Sequence, residues 1–202
     1  MTPLSGFEAR AMPDGGLFGS AEIRNERLDA FVKWNDMVDR HHWQEARRHR
    51  REPCRLTAEF DCRRDQWTAL LADVAGAEPT DQIRAINTFM NDAEYITDLR
   101  NWGDADYWAT VREFLQKDGD CEDYAIAKYY SLKALGFDPE TMRVVVVQDT
   151  NLDAPHAVLA IDFGGETLIL DNQITDVVSA ASIIHYRPIY SINETAWWLH
   201  RL

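Results

Sequence analysis

Cys121 lies in the stretch GDCEDYAIAKYYSLKALGF, residues 119–137, between Asp120 and the pair Glu122 and Asp123. A cysteine in such a place is a small buried apolar group, a nucleophile, or a neighbour of a metal site. Two further residues give it chemical meaning. His156 opens the apolar stretch HAVLAIDF, and Asp171 closes TLILDN. A thiolate nucleophile needs a base within reach, and the base needs a third group to fix its tautomer and orientation. Cys121 stands one residue inside a predicted helix N-terminus, where free N–H groups and the helix dipole favour a thiolate. Its own backbone N–H is a candidate oxyanion donor. The flanking acids act the other way, because carboxylates repel a thiolate.

Those acids suggest a second chemistry. Asp104, Asp106, Asp120, Glu122 and Asp123 fall close together in the chain, and like charges so crowded call for a counter-ion. Calcium takes hard oxygens, mixing carboxylates with backbone carbonyls. Asp120 and Glu122 are the first candidates and Asp123 the next, with Asp104 and Asp106 available from a loop. The plainer alternative is that Asp120 and Asp123 only cap the helix.

Elements must carry these residues to one place. Asp120 as N-cap, Asp123 three residues on, a buried face of Ala125, Ile126, Tyr129, Leu132 and Leu135, then Gly136 and Pro139, mark one complete helix. Ahead of it, helical periodicity runs over about 22–46, 64–75 and 80–95, with Thr80 as a cap, and a short helix fits VREFLQK. LRNWGDADYW, 99–108, reads as an acidic aromatic loop whose Trp102, Tyr107 and Trp108 either pack it down or line a cleft. After residue 138 the pattern turns to strands: 143–149, 156–163, 167–172 and 186–193, with Pro188 suited to an edge or a bulge. A glycine turn at 164–166 makes the middle two a hairpin. Centred on Gly165, it sets 159 opposite 171 and 156 opposite 174, so a slip or bulge is needed to bring Asp171 beside His156, and Asn172 is the alternative orienting group. AWW, 196–198, reads as core or as a lid. Helices followed by an antiparallel sheet make an α+β fold. The expected organisation is an N-terminal arm over 1–21 and one domain over 22–202, helical to about 137 and sheet beyond.

Composition sets outer limits. The chain has 202 residues, 46% of them hydrophobic, and a net charge of −13 from 21 basic and 34 acidic residues. That balance disfavours nucleic acid and anionic membranes and suits a divalent cation. No apolar run is long enough to cross a bilayer, and no basic start followed by an apolar stretch marks a secretion signal. The basic run RRHRR, 47–51, reads as a solvated end or as a docking patch for an acidic partner. Cys54 and Cys62 lack further ligands at zinc spacing and would pair in an oxidising compartment.

Taken together, GDCEDYAIAKYYSLKALG, HAVLAI, LILDN and YSINETAWWLH resemble the bacterial transglutaminase-like cysteine proteinases, over about residues 80–200. The resemblance implies a papain/transglutaminase-like fold, with N-terminal helices and a catalytic helix packed on an antiparallel sheet. It implies a Cys-His-Asp triad, here Cys121, His156 and Asp171, and Ca2+ held by acids flanking the cysteine, here Asp120 and Glu122 with Asp123. It also implies periplasmic members that clip the N-terminal region of a large cell-surface adhesin and release biofilm cells, and that are sequestered by an inner-membrane receptor for cyclic di-GMP. Two other readings of the residues stand beside it. One is acyl transfer to an amine by the same fold. The other is a non-catalytic binding module stabilised by calcium.

Overall fold

A computed structural model describes residues 16–47 and 63–202. Cys54, Cys62 and all but Arg47 of the basic run lie outside the described residues. Arg47 rests its guanidinium on the Trp43 ring, 4.0 Å from the centroid.

Among the described residues, six α-helices pack on a seven-stranded antiparallel sheet. The helices are α1 (Val32–Ala46), α2 (Arg63–Val74), α3 (Pro79–Asn91), α4 (Asp98–Asn101), α5 (Val111–Lys117) and α6 (Cys121–Ala134). The strands are β1 (Ala21–Asn25), β2 (Met142–Asp149), β3 (Ala154–Phe163), β4 (Glu166–Leu170), β5 (Val178–Ser179), β6 (Tyr186–Ile192) and β7 (Trp197–Arg201). Their order across the sheet is β1-β7-β6-β2-β3-β4-β5. The α+β class and the run of helices before strands are as the patterning predicts. Among the described residues no helix is long and apolar enough to cross a membrane.

The central element is α6. Ile126, Ala127, Tyr129 and Leu132 are solvent-free, because the helix is enclosed by α3 and α5 on one side and by β2 and β3 on the other. Its start is the expected capping box, in which Asp123 reaches back to the Asp120 N–H at 3.4 Å. Its end is the expected glycine stop: Gly136 has φ 96°, and Phe137 N–H donates to Leu132 O at 3.1 Å. The main core joins this helix to Trp34 and Met37 of α1, Ile83, Ile86 and Met90 of α3, and Val144, Leu159, Ile161 and Leu170 of the sheet. Val145, Val147, Val158, Ala160 and Ile169 face the other way, over a smaller core closed by Leu17 and Tyr186. Both sheet faces are therefore apolar in β2 and β3, which is why their sequences run nearly unbroken in valine, leucine and isoleucine.

Several expectations change. Residues 22–31 are not helical. Residues 21–25 form β1, and α1 begins only at Val32. The expected arm does not extend to residue 21, since Leu17 and Ser20 are buried. The reason is a polar network that no periodicity reveals. Ser20 Oγ donates to Leu17 O at 2.8 Å, so it accepts from His200 Nδ1–H at 2.7 Å. Nε2 of His200 then accepts from Ser191 Oγ at 2.9 Å. Glu22 adds an ion pair with Arg143 at 2.9 Å. The N-cap of α3 is Glu78 followed by Pro79, not Thr80. Residues 98–101 of the acidic aromatic loop form the short α4. β6 is an interior strand, and its Pro188 is accommodated by the bulge option: pairing with β2 shifts between Val146 and Val147. AWW is core and strand, with Ala196 buried and Trp197 against Phe31.

Candidate active site

The hairpin of β3 and β4 decides whether the polar residues meet. Its register pairs Leu159 with Leu170 and Phe163 with Glu166 around a two-residue Gly164-Gly165 turn, with both glycines at positive φ. Extending the ladder sets Asp171 opposite Val158, two residues from His156 and on its side. No bulge or slip is required. The centre lies half a position from the expected one, which moves each partner by one residue, and with period two that single step changes the face.

His156 Nε2–H accordingly donates to Asp171 Oδ1 at 2.9 Å, with both side chains buried. Tyr186 OH donates to Asp171 Oδ2 at 2.6 Å, and Gln173 N–H to Oδ1 at 2.8 Å. Asn91 of α3 holds the same residue from behind, donating to its backbone carbonyl at 2.8 Å. Burial opposes the charge on Asp171, but His156, Tyr186 and the Gln173 N–H prevail and keep its carboxyl below the ordinary range. Asp171, not Asn172, is thus the partner of the imidazole. Tyr186 and Gln173 carry no chemical signature in the sequence and become visible only through the fold.

Cys121 is the first residue of α6. α6 packs against β3, and the backbone N–H of Ala157, the neighbour of His156 on that strand, favours the Cys121 thiolate. The thiol proton goes to Glu122 Oε2 at 3.2 Å. Burial pushes the thiol up, and Glu122 and Asp120 push it further, against the Ala157 N–H. The repulsion expected from the sequence is real, though burial exceeds it.

The acids converge from two segments. Oxygens of Asp98, Asp106 and Glu122 approach one another closely enough to share one cation, as do those of Asp98, Asp120 and Asp123. Asp98 Oδ1 and Asp120 Oδ1 are buried without hydrogen-bond partners. Burial, with Asp120 and Asp123, raises Glu122 to about 9. Burial also raises Asp98 to about 6, although the Tyr107 N–H opposes it. Asp120 and Asp123 rise for the same first reason. Buried, unpaired carboxylate oxygens on Asp98 and Asp120 within such a cluster fit a hard divalent cation. Asp123 is the least free of the set, since the N–H groups of Ala109 (2.6 Å) and Asp120 already use both of its oxygens. Gly119 is fixed by the same residue: a Cβ there would stand 2.2 Å from Asp123 Oδ2. Asp104 takes no part in these groups and accepts from the Asp106 N–H at 3.4 Å. Asp98 is the member that sequence reading missed; its place before LRNW was hidden by the distance to Cys121.

Residues 52–200 match the family described as bacterial transglutaminase-like cysteine proteinases. The chain belongs to this family. Among solved structures, calcium-bound LapG of Legionella pneumophila is 31% identical, with a TM-score of 0.63, covering 68% of this chain and 77% of that one. The EGTA-treated form of LapG gives 31% identity and a TM-score of 0.62 over 68% and 75%. No curated protein matches the chain. The fold is therefore papain/transglutaminase-like and the activity that of a cysteine peptidase.

Two more features surround the site of this transglutaminase-like cysteine proteinase. The aromatic residues of the acidic loop pack it down: Lys117 lies over Trp102, Trp102 stacks on Tyr107 at 4.4 Å, and Arg40 covers Tyr107 at 4.7 Å. Trp108 Nε1–H donates to Asp106 at 2.9 Å, tying the loop acid to the core. On α6, Lys128 is solvent-free and has no hydrogen-bond partner. Burial draws its ammonium down to about 7, while the field of Asp171 opposes that.

Proposed function

We propose that this cysteine peptidase is a calcium-dependent endopeptidase in which Cys121 is the nucleophile, His156 the base and Asp171 the orienting group. The observation that carries the reading is the His156–Asp171 pair on strands packed against α6, with Cys121 at the helix start between acids that have unpaired buried oxygens. His156 presents Nδ1 to the thiol, because Nε2–H is committed to Asp171. It takes the Cys121 proton, the thiolate adds to the scissile carbonyl, and the imidazolium returns the proton to the leaving amine. Water then attacks the acyl-enzyme with the same imidazole as base. The Cys121 N–H, free at the helix start, is one donor to the developing oxyanion.

Asp120 and Glu122, with Asp98 and Asp106, are the residues that would hold Ca2+. When bound, the ion neutralises the carboxylates that raise the thiol. One LapG structure, at 31% identity, is calcium-bound, which favours the same ion here. The substrate assigned is the N-terminal region of a large cell-surface adhesin, cut in the periplasm to release attached cells. The proposed partner is an inner-membrane receptor for cyclic di-GMP. These assignments rest on the resemblance of the GDCEDYA region to periplasmic members of the family.

The test is cleavage of large surface-protein fragments, read by mass spectrometry, with wild type, Cys121→Ala and chelated wild type. Wild type with calcium should cut at a discrete site, and the other two should not. Undiminished cutting by Cys121→Ala would remove the triad assignment, and undiminished cutting under chelation would remove the calcium one.

A further inference from the structure

Gln173 touches both groups that control the thiol. Its backbone N–H donates to Asp171 Oδ1 at 2.8 Å, and its side-chain Nε2 lies 3.2 Å from His156 Nδ1. β4 ends at Leu170, and the chain then turns so that the Gln173 N–H bonds the Asp171 carboxylate two residues back, which carries its side chain toward His156. The tautomer follows from the neighbours. Asp171 is an acceptor and takes the Nε2 proton, so neutral His156 has a bare lone pair at Nδ1. A Gln amide N–H is a donor that fits that lone pair. Cys121 makes no hydrogen bond there, because its thiol proton goes to Glu122. In this geometry, therefore, the nitrogen that must receive the thiol proton is already covered by an amide.

We propose that Gln173 is a positioning residue that caps the base: its amide N–H holds the Nδ1 lone pair of His156 and fixes the tautomer until the thiol proton arrives. The cap has to be movable, and Gln173 is exposed, at the mouth of the site. Its backbone stays anchored to Asp171 while its side chain swings. A donor on Nδ1 favours neutral imidazole over imidazolium. The other groups that face His156 are Asp171 on its far nitrogen, the Cys121 thiol at the α6 terminus, and Tyr186 with ring centroids 5.7 Å apart. The β2 partner, Val147, is apolar. Gln173 is the one neutral amide among them, so substitution there changes the cap and leaves the charged partners in place.

The inference rests on the triad reading, and its experiment separates the two. With the calcium-loaded full chain, the 15N resonances of the His156 ring are recorded for wild type, Gln173→Ala and Gln173→Glu, together with pH profiles of kcat/KM. In wild type Nδ1 should report an acceptor that is hydrogen-bonded. In Gln173→Ala it should move toward an unbonded ring nitrogen, and the acid limb, which reports the base of the free enzyme, should rise by about half a pH unit, the worth of one exposed neutral hydrogen bond. Gln173→Glu, which puts an anion on the same nitrogen, should raise that limb by about one unit or more. An Nδ1 resonance identical in wild type and Gln173→Ala would overturn the proposal, as would a wild-type ring protonated on Nδ1 at neutral pH. A limb that stays fixed in both variants would do the same. Retained cleavage by His156→Ala would instead overturn the triad reading, and the ring spectra would still show whether the cap exists.

Discussion

At the residue scale, the pairing of His156 with Asp171 is set by donors that saturate the carboxylate. His156, Tyr186 and the Gln173 N–H leave it no freedom to turn. An amide in its place would offer one oxygen where the site presents donors to two, and would compete for the tautomer. Asp171→Asn is expected to lower kcat by about 10²–10⁴ with little change in melting temperature, as for other triads whose orienting acid is made an amide. A loss smaller than tenfold would show that the imidazole is oriented by something else. The Cys121, His156 and Asp171 types were legible in the sequence because a thiol, an imidazole and a carboxylate each stood at an element boundary. Gln173 and Tyr186 were not, because an amide and a phenol announce no chemistry until a register places them.

At the scale of elements, α6 and the β3–β4 hairpin were readable for different reasons. The helix carries its own punctuation, Asp120 and Asp123 at one end and Gly136 at the other. The hairpin was readable in its existence but not in its centre, since a glycine pair followed by Glu166 admits turns of two or three residues. β1 and β7 escaped notice because tertiary partners override local pattern. Residues 21–25 are a strand only because β7 lies alongside, and His200, Ser20 and Ser191 lock the two together. That lock has a pH signature. Burial, helped by Arg143 and opposed by Glu22, lowers His200 to about 4 from an ordinary 6.5. The folded protein then resists a proton that the unfolded chain accepts. The lock's contribution is complete above about pH 6.5 and is lost progressively as pH falls toward 4. His200→Gln, which keeps hydrogen-bonding capacity without titrating, is expected to flatten the decline of melting temperature between pH 7 and 4.5. Parallel declines in the two proteins would refute this.

At the scale of the whole molecule, the acidic cluster joins two separate segments of the chain. Asp98 and Asp106 come from the loop around α4, and Asp120 and Glu122 from the start of α6. A cation shared by them ties the loop to the catalytic helix and adds stability by mass action. Its ligands bind the ion as carboxylates, and Glu122 and Asp98, raised to about 9 and about 6, release protons when they do so. Calcium should therefore raise the melting temperature, and the increment should grow between pH 5 and 8. Melting curves that coincide with chelator and with added Ca2+ at pH 8 would count against the site. The sheet order has a different consequence. Ala21 is paired with Arg201, so the first and last strands lie against each other and the ends of the described fold leave from one place. Continuity of the chain and continuity of the sheet are thus separable. Joined by a short loop from 201 to 21 and opened at Gly164-Gly165, a circularly permuted protein would keep every strand beside its present neighbours, while His156 and Asp171 would come to stand near opposite ends of the polypeptide.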